Sequence, residues 1–155
     1  MSHDATIFPY GITLRQGGAL DVFPAAEVSF PALDNEWITL FLILDSGATI
    51  SALPKTDASA LGIDAEKGRP TSVTGINGET TAGWQHEHNV RIGKEIVKIP
   101  LVLLDNESSP RILGRAGIFD RFTVIFEEQK KRSGFIGKDS KEAKAITKIL
   151  EKIKT

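Results

Sequence analysis

The chain has 155 residues, enough for one domain with a sizeable core and too few for two full lobes. Its formal charge of −1 gives no global field to attract nucleic acid or an acidic substrate, and the lack of cysteine excludes disulfides, thiol catalysis and cysteine metal sites. No apolar run approaches membrane-spanning length, and Met1-Ser2-His3-Asp4 does not start a signal peptide, so the expectation is a soluble, cytoplasmic protein with neither membrane nor nucleic acid as partner.

Gly, Pro and Asn break most of the chain into short strands. The first segment, residues 1–24, is expected to hold a strand near residues 7–14, a turn at Gln16-Gly17-Gly18, and a possible dimer-interface strand. Residues 25–30 and 38–44 read as strands around a hairpin loop at 31–35. The second is apolar throughout, the pattern of a strand covered on both faces. It runs into Asp45-Ser46-Gly47-Ala48. A carboxylate at the end of so apolar a strand is unusual, because ionised groups avoid such surroundings unless paired or put to use. Gly47 permits a tight turn, and Ser46 can hydrogen-bond locally or across an interface.

Residues 54–61 read as a short helix or helical turn, with Pro54 in its first turn and Gly62 as its stop. Gly75-Ile76-Asn77-Gly78 predicts a hairpin, since Asn-Gly tolerates positive φ. A turn at Gly93-Lys94 separates this hairpin from a strand over residues 95–104, and residues 105–110 form a loop. Then come Ile112-Leu113-Gly114-Arg115, a short helix-like piece over 116–121, and strands over 122–126 and 134–136. The tail, residues 138–155, changes character. Ile146, Ile149, Leu150 and Ile153 share one face of a helix, Asp139 and Glu142 make a capping box, and lysines line the other face. The lysines read as a solvated surface over a docked apolar stripe.

The order of these motifs resembles the retropepsin-like aspartic peptidases, the single-lobe relatives of pepsin. The resemblance spans residues 28–136 and implies an all-β, retropepsin-like acid protease fold over residues 25–137, with short helices and an added C-terminal amphipathic helix. It assigns the catalytic acid to Asp45, within the turn completed by Ser46, Gly47 and Ala48. It places Ile112, Leu113 and Gly114 in a psi-shaped loop beside that acid, followed by Arg115. Gly75, Ile76, Asn77 and Gly78 become the tip of a flap over substrate. Thr49 and Ile50 depart from the viral pattern, which often has acids there, and leave Arg115 without its expected partner.

Peptide hydrolysis by this route needs two carboxylates around one water, sharing a proton. The chain holds a single Asp-Ser/Thr-Gly, since Asp139-Ser140 is followed by Lys141. The simplest repair is a symmetric homodimer with Asp45 from each copy on the two-fold axis. The expected enzyme is an aspartic endopeptidase acting on extended peptide or unfolded protein, with no metal and no organic cofactor. Leu53, Ile76 and Ile112 are expected to line its apolar pockets. The alternative keeps the fold and drops the chemistry: an inactive dimeric peptide-binding or scaffold module. His86 and His88 share a strand face with Trp84 and Val90, but spacing supplies no third metal ligand. A Ser-His-Asp hydrolase is disfavoured because no Gly-x-Ser-x-Gly elbow occurs.

Overall fold

The computed structural model describes residues 5–153; Met1 to Asp4, Lys154 and Thr155, on which some sequence expectations fall, lie outside them. Three sheets carry the chain. A three-stranded sheet joins β1 (Ala5–Pro9), β12 (Arg132–Gly137) and β11 (Phe122–Glu127) in that order. A small hairpin is made by β2 (Gly11–Leu14) and β3 (Leu20–Phe23) alone. The main sheet has seven strands, in the order β4 (Ala25–Pro31), β5 (Trp37–Leu44), β10 (Ile112–Leu113), β6 (Ser51–Pro54), β9 (Glu95–Leu104), β8 (Thr80–Ile92) and β7 (Arg69–Thr74). A single bridge from Ser29 to Arg91 also joins β4 to β8, curling the sheet back on itself.

Alternation along the strands builds the core. Val28 and Phe30 of β4, Leu42 of β5, Leu53 of β6, Val90 of β8, and Ile99, Leu101 and Leu103 of β9 are all fully buried in one cluster. Phe8, Phe122 and Phe135 bring the three-stranded sheet into the same cluster, with Phe135 edge-on to both other rings.

The expected hairpins at 31–35, 75–78 and 93–94 all form. Several expectations are corrected. β5 is covered on one face only: Leu42 and Leu44 are buried, while Thr39 and Phe41 face outward. Its continuous apolar run therefore exceeds what the single chain buries. Residues 54–61 take the helical-turn form of that expectation, with a 3-10 turn at Lys55–Asp57 and further turns, but Pro54 is the last residue of β6 and not part of the turn. Gly62, at φ +65°, does end this stretch. The helix-like piece expected over 116–121 forms as coiled turns, with the Ile118 and Phe119 N–H groups on the Arg115 carbonyl.

The helix α1 (Lys141–Lys152) forms as expected, but its cap is Ser140, whose Oγ accepts from the Ala143 N–H at 3.1 Å. Asp139 lies one residue too early for that bond. The apolar stripe docks only at its start: Ala143 is buried and Ile146 half-buried, whereas Ile149, Leu150 and Ile153 are about three-fifths exposed. No helix among the described residues is long and apolar enough to cross a membrane.

Candidate active site

β5 delivers Asp45. The strand is held by antiparallel pairing to β4 on one side and by parallel pairing to β10 on the other, with Ile43 opposite Ile112 and Leu44 opposite Leu113. β10 also pairs antiparallel with β6, Ile112 facing Ala52. The chain leaves β5, turns through Asp45 and returns along β6; a strand from sixty residues later slots between the two. This is the psi-shaped thread expected from the resemblance.

Backbone hydrogen bonds fix the turn on both sides. The Asp45 N–H donates to the Leu113 carbonyl at 3.1 Å, and the Ala48 N–H to the Asp45 carbonyl at 3.2 Å. From the other loop, the Arg115 N–H donates to Ala48 at 3.0 Å and the Ala116 N–H to Thr49 at 2.8 Å. Asp45 Oδ1 accepts from the Gly47 N–H at 2.8 Å, which orients the carboxylate within its own turn. Gly47 and Ser46 are exposed, and Asp45 and Ala48 are half-buried. Asp45 to Ala48 and Ile112 to Arg115, far apart in sequence, thus form one unit.

Ser51 was missed as a site residue. It is fully buried, and its Oγ accepts from the Gly114 N–H at 3.0 Å, tying β6 to the psi loop. Its signal was a lone serine within Ile50-Ser51-Ala52-Leu53, where a buried hydroxyl needs a partner. Arg111 was missed too. Its guanidinium forms a two-pronged bond to Asp57, Nε to Oδ2 at 2.7 Å and Nη2 to Oδ1 at 2.8 Å, and its carbonyl accepts from the Ile43 N–H.

Leu53 is corrected: it lies on the core side of β6, fully buried, and cannot line a substrate pocket. Ile112 is half-buried at the thread. The tip from Gly75 to Gly78 is a closed turn, with Gly75 and Glu79 bonded across it and the Glu79 N–H on Asn77 Oδ1. Ile76 is fully exposed there, and among the described residues no hydrogen bond joins this tip to Asp45 or the psi loop. No ion pair engages Asp45 or Arg115 among the described residues. His86 Nε2 meets the Ala65 carbonyl at 2.9 Å, and His88 stacks on Phe30. No group of three or more His, Cys, Asp or Glu among the described residues is gathered to hold a metal.

Comparisons with known proteins bear on the fold and the family. A retropepsin-like aspartic protease from Rickettsia conorii superposes with a TM-score of 0.54 at 22% identity, covering 84% of this chain and 92% of that one. The EIAV protease complexed with the inhibitor HBY-793 is similar at a TM-score of 0.45 and 21% identity, covering 66% of this chain and 88% of that one. No curated protein sequence matches. The family model described as aspartyl protease matches residues 35–116, just over half of the chain and both halves of the site. The fold is that of the retropepsin-like proteases, and the chain belongs to the aspartyl protease family.

Proposed function

We propose that the chain is a homodimeric aspartic endopeptidase in which Asp45 of each copy contributes one half of the catalytic pair. The observation that carries this reading is the placement of Asp45. A carboxylate at the end of β5, flanked by the psi loop and oriented by the Gly47 N–H, is held in one fixed place. One such acid cannot both take a proton from water and give one to the carbonyl oxygen. Two, brought close on a two-fold axis, cannot both ionise, so they hold one proton between them.

The ionised partner removes a proton from the water as its oxygen attacks the peptide carbonyl. The protonated partner gives its proton to the carbonyl oxygen. A tetrahedral diol results, and its collapse expels the amine with a proton returned from the pair. Ser46 braces the two turns across the axis. The hairpin tipped by Gly75 to Gly78 acts as a flap that excludes water and adds strand-like hydrogen bonds to an extended peptide.

Cleavage of a mixed peptide library at acidic to neutral pH, by the parent and by Asp45→Asn, tests the reading. The expected loss is about 10²–10⁴-fold or more, the range for removing a general acid or base, with dimerisation retained. Equal cleavage by both proteins, or cleavage by a strict monomer in sedimentation, overturns it.

A further inference from the structure

β2 and β3 pair with each other and stand outside both larger sheets. Their register sets Ile12 opposite Val22 and Leu14 opposite Leu20, so these four side chains share one face. They are 67%, 42%, 70% and 68% exposed in that order. The opposite face carries the Arg15–Asp21 ion pair at 2.6 Å. One face is suited to water and the other is not, and a lone two-stranded hairpin is marginal in water.

The stem of this hairpin is firmly seated. Gly11 lies against Phe23 and Phe41, where a Cβ would come within 2.5 Å and 2.7 Å of their rings. The Leu44 N–H donates to the Pro24 carbonyl at 2.9 Å, so the residue that follows β3 is tied to the residue that precedes Asp45. This position selects the occupant of the apolar face. When two Asp45 side chains meet, the axis between the copies runs beside both stems. A strand of four residues spans about 13 Å, so the arm extends well beyond its stem.

We propose that the β2–β3 hairpin is a docking arm: its Ile12, Leu14, Leu20 and Val22 face packs on a second copy of this chain and tightens the dimer that builds the active site. The inference rests on the shared-proton reading above. The arm precedes residue 35, where the family match begins, so it lies outside the matched region.

Analytical ultracentrifugation of the full chain and of Leu14→Ser/Leu20→Ser tests it, with circular dichroism checking that both are folded. Because both leucines are exposed, the substitutions leave the core of each copy intact. The expected result is a dimer dissociation constant raised about a hundredfold or more. Library cleavage should fall with it at low protein concentration and return at high concentration. An unchanged constant overturns the arm and leaves the Asp45 pairing standing; reduced cleavage at that unchanged constant assigns the face to substrate instead. A parent that stays monomeric at every concentration overturns both. Hydrogen exchange on the parent gives a check free of mutation: amides of residues 11–23 should be protected only above the dissociation constant, and concentration-independent exchange overturns the arm.

Discussion

Gly114 and Ile50 leave no room between them. A Cβ on Gly114 would stand 2.5 Å from the Ile50 carbonyl carbon and 2.6 Å from its oxygen. These are backbone atoms, so nothing can rotate away. The closeness lets the psi loop lie flat on the turn that carries Asp45, and the Gly114 N–H reach Ser51. Gly114→Ala must push the two loops apart. The expected cost is about 1–3 kcal/mol of stability, as for other overpacked sites, read as a lower urea midpoint. Peptide cleavage should fall further than stability does, because the displaced loop holds the Asp45 N–H.

The Asp57–Arg111 pair fastens this thread from its other end. Arg111 begins the segment entering β10, and Asp57 lies in the 3-10 turn after β6. The arginine is 43% exposed, so water screens much of the attraction. Arg111→Ala is expected to cost about 1 kcal/mol. Chemical denaturation measures it, and the double variant with Asp57→Ala should cost little more than either single change, since each already breaks the bond.

A pH effect follows from His88. Burial holds its imidazole below the ordinary value of 6.5, and the neighbouring His86 adds to the shift. Among the described residues its buried Nε2 has no hydrogen-bond partner, and the ring stacks on Phe30 at 6.0 Å. The folded state therefore takes up a proton at lower pH than the unfolded chain. Stability is intact above about pH 6.5, the unfolded value, and declines as pH falls toward the folded one. His88→Phe should flatten that decline. Urea midpoints at pH 7 and pH 5 measure it, and an equal drop in both proteins would place the titrating group elsewhere. In the proposed peptidase, whose acid pair needs one proton, such a decline would set a lower working limit.

Helix α1 offers a direct choice between two caps. Ser140 Oγ holds the Ala143 N–H, so Ser140→Ala should cost about 1 kcal/mol and fray the first turn. Asp139→Ala should be near neutral. Helical circular dichroism during thermal melting separates the two.

The limits of sequence reading follow from which interactions are local. Asp45 to Ala48 stood out because a charged group at the end of an apolar strand is conspicuous over a few residues. The Asn77-Gly78 turn was legible for the same reason, its backbone needs being met by adjacent residues. Ser51 and Arg111 were not legible. Their partners, Gly114 and Asp57, are distant in the chain, and nothing in a serine or an arginine announces a specific remote bond. The stripe of Ile146, Ile149, Leu150 and Ile153 showed a helix correctly, but its docking only as far as the half-buried Ile146, because periodicity reveals an apolar face without showing what covers it.

The proposed flap rests on a turn that is rigid at its base and bare at its tip. Gly75 and Glu79 close it, Asn77 pins it with its side chain, and Gly78 takes φ +81°. Ile76 projects from this frame fully exposed. A side chain with so little to lose on unfolding makes a clean probe. Ile76→Ser should leave the melting temperature within the small range of ordinary surface changes, about ±0.5 kcal/mol. If the tip closes on substrate, the isoleucine becomes buried against the peptide, and kcat/KM for extended peptides should drop about tenfold, the effect of losing roughly half of one buried aliphatic side chain's worth. Short peptides that do not reach the tip should lose less. Equal kcat/KM for parent and variant across peptide lengths would make the hairpin an ordinary turn, and would require some other segment to exclude water from the Asp45 pair.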